Sequence, residues 1–189
     1  MKEKISTIAV IQARTSSKRL PGKVLAEIGG RPMIAFQLER LSRCFEINEL
    51  VIATTNKESD NNLAQLCKDL GVKVVRGDEE DVLSRFVLAT SKSKANIIVR
   101  ITADCPLIDP DLISEIIQSF KSKKIDYLSN ISPPTYPDGL DVEVFTKETL
   151  LMADFHCKDK REREHVTPWI RNSGKCKISN FSNNEDLSF

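Results

Sequence analysis

Short apolar runs alternate along this chain with longer segments whose apolar residues recur every three or four positions. Residues 8–11, 49–54, 72–75 and 97–101 are β-branched runs of strand length, which predicts four buried strands. Ile34, Leu38 and Leu41 mark an amphipathic helix over residues 33–43. Leu63, Leu66 and Leu70 mark a second, stopped by Gly71. Residues 79–86 predict a third helix with acids in its first turn, where they complement the dipole. Glu79 and Glu80 are read as no more than that. Asp109 is placed to cap a fourth, with Pro110 at its first position. Strands alternating with helices at this spacing predict βαβ units, hence a mainly parallel α/β sheet with helices on both faces.

The pattern changes after Lys124. Residues 125–129 form a candidate strand, and 132–139 a Pro-rich loop. Residues 140–145 (LDVEVF) alternate, so Asp141 and Glu143 share one face and Leu140, Val142 and Val144 the other. Residues 147–155 and 162–172 predict helices, the second containing Pro168, and 177–181 a last strand.

The first strand delivers unusual chemistry to its C-terminal end. Arg14, Lys18, Arg19 and Lys23 fall in one loop with Thr15, Ser16 and Ser17, and Pro21-Gly22 turns it. Ligands of open α/β sheets sit at that end of the strands. Arg suits bidentate phosphate binding and Lys acts as a point charge. The loop therefore reads as a polyanion grip, or else as a solvated basic turn. It is neither a Walker A loop nor a G-x-G-x-x-G turn. Asp104 follows the strand at 97–101, with Pro106 keeping the next turn extended. A lone carboxylate there is either an ordinary turn residue or the anchor for Mg²⁺, which takes one or two carboxylates, phosphate oxygens and waters.

Charge and cysteines narrow the setting. A net charge of +1 over 189 residues gives no global pull toward nucleic acid or a membrane, so an anion site must be local. The five cysteines are odd in number and widely spaced, with no C-x-x-C, which argues for a reducing cytosol and no zinc site. The N-terminus lacks a signal-peptide pattern. The expectation is a cytoplasmic chain folded as a single domain over residues 1–189.

The segment from Ala13 to Lys23, A-R-x-x-S-x-R-L-P-x-K, resembles the nucleotide loop of the CMP-sugar synthetases (cytidylyltransferases), and within them the spore-coat polysaccharide biosynthesis protein F branch. The stretches at 28–34 (IGGRPMI), 77–85 (GDEEDVLSR), 100–109 (RITADCPLID), 136–145 (YPDGLDVEVF) and 163–170 (REHVTPWI) extend the resemblance over nearly the whole chain. It implies a Rossmann-like nucleotidyltransferase fold, CTP and a sugar or sugar acid as substrates, Mg²⁺ as cofactor, no nucleic-acid or membrane partner, and a homodimer as the family's suggestion. Residues 1–124 would form the nucleotide-binding part and 125–189 the sugar-binding part. Carried onto this sequence, Arg14, Lys23 and Asp104 are the catalytic candidates, with Asp104 also the metal ligand. Ala13, Arg14, Ser17, Arg19, Lys23, Thr54 and Arg76 are the nucleotide candidates. Asp138, Asp141, Glu143 and His165 are the sugar candidates, with a solvent-facing strand edge or helix surface as the alternative. Another nucleotide, a sugar phosphate, or a non-catalytic nucleotide-binding module stays open, because fold alone does not decide it. The family usually continues into an acidic D-x-P-E-D-like segment, which would begin about where this sequence ends. The corresponding expectation is weak Mg²⁺ binding and low turnover.

Overall fold

The computed structural model describes residues 6–17 and 19–189; Lys18 of the basic loop lies outside them. β1 (Thr7–Gln12) is an interior strand of the main sheet, and its side chains alternate between two apolar layers. Ile8 and Val10 enter one, Ala9 and Ile11 the other. Beyond the basic loop, β2 (Glu27–Ile28) and β3 (Arg31–Pro32) form a small hairpin turned by Gly29 and Gly30. Both glycines have positive φ, the conformation a two-residue hairpin turn needs. The chain then runs through α1 (Met33–Leu41), β4 (Glu49–Thr55), α2 (Asn61–Asp69), β5 (Lys73–Gly77), α3 (Val82–Thr90), β6 (Ile97–Thr102) and α4 (Pro110–Ser122). Next come β7 (Tyr127–Ser129), β8 (Glu143–Thr146), α5 (Lys147–His156), α6 (Lys160–His165), α7 (Pro168–Asn172) and β9 (Ile178–Asn180).

The seven-stranded sheet has the order β5-β4-β1-β6-β8-β7-β9. β8 runs antiparallel to both its neighbours, while the other pairings are parallel. Helices α1, α2 and α4 bury Leu38, Leu63 and Ile116 against one face. Helices α3, α5 and α7 bury Phe86, Leu150 and Ile170 against the other. Burying a side chain of this size stabilises by about 1.5–3 kcal/mol, so the two layers supply the main drive to fold.

Three local expectations are corrected. Residues 140–145 are not one strand: β8 begins only at Glu143, and Asp141 lies in the loop before it. Asn130 holds that loop, donating from Nδ2 to the Leu140 carbonyl and accepting from the Val142 amide, each at 2.8 Å. Residues 162–172 are not one helix. Val166 sits at φ 70° between α6 and α7, and Pro168 starts the second helix, because proline cannot continue the first. The acids at 79–80 precede α3 rather than filling its first turn; Asp81 caps it by accepting from the Ser84 amide at 2.9 Å.

Candidate active site

The basic loop leaves the C-terminal end of β1 and is tied down from below. Asp60, fully buried, accepts from the Thr15 amide at 2.8 Å and the Thr15 hydroxyl at 2.6 Å. Its other oxygen takes the hydroxyls of Thr54 and Thr55. Burial pushes this carboxyl up, but the hydrogen bonds from Thr15, Thr55 and Thr54 together outweigh it and hold it below the usual carboxylate range. The Gly22 amide closes the loop on the Thr15 carbonyl at 2.8 Å, with Gly22 at φ 75°. Glu79, in the turn ahead of α3, braces the loop, accepting from Ser16 and pairing with Lys57. Arg14 and Lys23 thus project from backbone held at Thr15 and Gly22, so little ordering of them remains to be done when an anion arrives.

Three cavities lie side by side along the C-terminal ends of β1 and β6. The middle one, about 350 Å³, is lined by Arg14, Ser17, Arg19, Lys23, Asp104 and His165 among others. On one side it shares Arg19, Thr102 and Asp104 with a larger cavity of about 670 Å³, whose far wall carries Asp138 and Asp141. On the other side it shares Gln12, Ala13, Arg14, Glu164 and His165 with a small one of about 130 Å³ closed by Val82 and Arg85. Charge changes sign along the row, with cations crowding the middle cavity and carboxylates the large one.

Asp104 stands at the junction. Its Oδ2 lies 2.6 Å from the Lys23 ammonium. Burial raises its pKa, but the Lys23 interaction helps bring it below the usual range, so it is ionised at neutral pH. Gln37, buried on α1, donates to the Thr102 and Cys105 carbonyls at 2.8 and 3.0 Å and so fixes the turn that carries Asp104. The donor set fits a Mg²⁺ shared with a phosphate substrate. A single half-exposed carboxylate with open space beside it meets that ion's demand for phosphate oxygens and waters. Among the described residues, no group of three or more His, Cys, Asp or Glu is arranged to hold a metal unaided. Across the large cavity, burial and the neighbouring Asp138 and Glu143 push the Asp141 carboxyl up. Burial likewise pushes the Cys105 thiol to about 11, so it stays protonated and is no nucleophile.

Other sequence candidates fall elsewhere. Thr54 is fully buried and bonded to Asp60, supporting the loop rather than facing a cavity. Arg76 is spent on protein: its guanidinium donates to the Thr55 and Lys57 carbonyls and to Asn61, each at 2.7 Å. Glu143 is 2% exposed and does not share a face with Asp141. It pairs with Arg100 and accepts from the Tyr127 and Thr167 hydroxyls at 2.6 and 2.5 Å. Arg100 in turn donates to Gln12 at 3.1 Å, so Glu143 supports the middle and small cavities from beneath. Asp60 and Gln37 carry no motif signal, and Glu79 only its place in the 77–85 stretch. Arg85 does carry one: Val82, Phe86 and Ala89 define an apolar stripe at helical spacing, and a cation interrupts it.

Comparison with known proteins places the chain in a family. Residues 8–177 match the family model described as cytidylyltransferase. The chain is 43% identical over 163 residues to the uncharacterized protein MJ1063 of Methanocaldococcus jannaschii, covering 86% of this chain and 66% of that protein. It is 36% identical over 168 residues to the spore coat polysaccharide biosynthesis protein SpsF of Bacillus subtilis, covering 86% and 69%. A shorter match, 39% over 111 residues, is to the 3-deoxy-manno-octulosonate cytidylyltransferase of Geobacter sulfurreducens, covering 58% of this chain and 43% of that enzyme. The chain therefore spans two thirds or less of the length of most curated relatives it matches. A solved cytidylyltransferase from Leptospira borgpetersenii superposes with a TM-score of 0.93 at 34% identity, covering 98% of this chain and 79% of that one. The mainly parallel sheet and the match over 8–177 give one conclusion: the chain belongs to the cytidylyltransferase family.

Proposed function

We propose that this protein transfers CMP from CTP to a hydroxyl of a sugar or sugar acid, releasing pyrophosphate. The observation that carries the reading is the row of three cavities, with a cationic middle compartment and Asp104 at its border with the largest. A triphosphate in the middle compartment has a base on one side and an acceptor on the other. Arg14, Arg19 and Lys23 hold the phosphates and neutralise the charge that grows on the departing pyrophosphate. Ser17 adds a hydroxyl donor. Asp104 would hold Mg²⁺, which when bound supplies charge neutralisation and orientation across the phosphates. The acceptor hydroxyl approaches the α-phosphorus in line from the large cavity, where Asp138 and Asp141 accept hydrogen bonds from its other hydroxyls. His165 borders the phosphates rather than the acceptor. Residues 137–141 contribute the far acceptor wall, while Glu164 and His165 join residues of the 1–124 part around the phosphate and base compartments.

The acceptor wall is acidic, and Arg19 is the one Lys or Arg lining that cavity among the described residues. This favours a neutral or amino-bearing sugar over a carboxylate-bearing one, since like charges at close range disfavour each other. The test is to supply CTP, UTP, ATP or GTP with Mg²⁺ and a panel of acidic, neutral and amino sugars, and to measure pyrophosphate release and product mass. Product from CTP alone is expected. Product from another nucleotide or a sugar phosphate would assign a different nucleotidyl transfer, and nucleotide binding without product would assign a binding module.

A further inference from the structure

Val166 is the one non-glycine residue with a positive φ among the described residues. It sits at φ 70° and ψ −56°, and the His165 carbonyl accepts from the Thr167 amide at 2.8 Å. That is a γ-turn of the rare, strained hand. A β-branched residue is poorly suited to such a backbone, and glycine is the natural occupant. The turn persists because it is held from three directions. Val166 itself is fully buried, in the apolar layer that contains Phe86 and Ile170. On the α6 side, Arg163 donates to Asp81 at 2.9 Å, to Asp154 at 2.7 Å, and to the Asp154 and Cys157 carbonyls at 3.1 Å. On the α7 side, the Thr167 hydroxyl donates to buried Glu143 at 2.5 Å.

Strain of this kind survives where the surroundings over-determine it, and it clusters at ligand sites. α6 buries none of its own residues, so it adds little to the core. Its end does reach the site. His165 lines the middle and small cavities but not the large one. The strained residue follows His165 directly, so the sign of φ at 166 sets the direction in which α6 leaves the buried start of α7. We propose that Val166 is a positioning residue acting through His165. Its buried side chain pins the strained turn, and the turn places His165 to hydrogen-bond the nucleotide where the phosphates meet the base compartment. The inference rests on the CTP reading above.

Two substitutions separate positioning from packing. Alanine keeps a methyl group in the core but resists φ 70°, so the turn relaxes and His165 moves away. Glycine leaves a larger void but adopts φ 70° freely. Packing alone makes glycine the worse replacement, whereas positioning makes alanine the worse one.

The test is titration calorimetry of CTP with Mg²⁺ on the wild type, His165→Ala, Val166→Ala, Val166→Gly and the two double variants. CTP affinity should fall about tenfold in His165→Ala. It should fall by a similar factor in Val166→Ala and by less in Val166→Gly. With His165→Ala already present, neither change at 166 should lower affinity further, because the two residues act as one unit. Equal losses at 166 with and without His165 would make Val166 a packing residue and overturn the inference. Unchanged affinity in His165→Ala would overturn it too, as would weaker binding by Val166→Gly than by Val166→Ala. Should Val166→Ala not fold, a loss in Val166→Gly larger than that in His165→Ala would overturn it. A wild type that binds CTP no better than inorganic tripolyphosphate would overturn the CTP reading itself, and this inference with it.

Discussion

Two arginines serve the same row of cavities, Arg85 lining it and Arg100 reaching it through Gln12, and they are treated in opposite ways. Arg100, on β6, pairs with Glu143 and donates to Gln12, and Glu143 is in turn bonded by Tyr127 and Thr167. Arg85, on α3, is more deeply buried, and its Nε and NH1 bond nothing. A buried charge is tolerable when its partners are built in, and costly when they are not. The Arg100 cluster therefore belongs to the fold: it links β6, β7, β8 and the start of α7 and stiffens the floor beneath Gln12. Arg85 is stability withheld from the fold, in the way that functional sites commonly are.

The sharpest break in this contrast is Glu143→Ala. It leaves Arg100 without a counter-charge and two hydroxyls without an acceptor, and should destabilise by about 3–5 kcal/mol in urea denaturation. Arg85→Met should do the reverse in the absence of nucleotide, leaving the midpoint unchanged or higher; a large loss of stability there would mean that Arg85 has a structural partner. Asp60→Ala comes next, at about 2–3 kcal/mol, because it strips the acceptor from Thr15, Thr54 and Thr55. It should also weaken tripolyphosphate binding, since the loop would lose its anchor. Lys23→Ala and Arg14→Ala should move stability little but lower turnover about tenfold to a hundredfold, which steady-state pyrophosphate release would read.

The smallest effect concerns pH. The Asp141 pKa is raised in the folded state, so its ionised form is the less stable one in the fold. Its favourable contribution is full below the unfolded value and is lost as pH rises through the folded value. Asp141→Asn should therefore melt slightly above the wild type at neutral pH, with the difference closing as pH falls below the carboxylate range. Asp104 has the opposite sign: its pKa is lowered, so its contribution is present at neutral pH and lost as pH falls through the folded value. Thermal melts across that range on Asp104→Asn should show a deficit at neutral pH that closes on acidification.

Legibility in the sequence followed the range of the interaction. The basic loop could be found because its cations sit on consecutive turns of one segment, directly after a strand whose β-branched run is unmistakable. Asp104 was legible for the same reason. Thr54, Arg76 and Glu143 were misplaced because their partners lie 6 to 43 positions away along the chain. Asp60, which holds the loop, sits in a short polar stretch with nothing to distinguish it. Arg85 was visible as a cation on an apolar helical stripe, but that pattern does not tell a buried ion pair from an unpaired donor.

By itself the sequence determined the strand–helix alternation, the two-layered burial of β1 and the place of the cationic loop, because hydrophobic periodicity and turn chemistry act within a few residues. Tertiary structure alone decided which carboxylates face a ligand and which are consumed by the fold. It set Glu143 under Arg100 and Asp141 on a cavity wall, and it left Arg85 facing a cavity with two donors unmatched. Pairing a charge depends on what the other strands and helices bring within about 3 Å of it, and only the packed sheet fixes those distances.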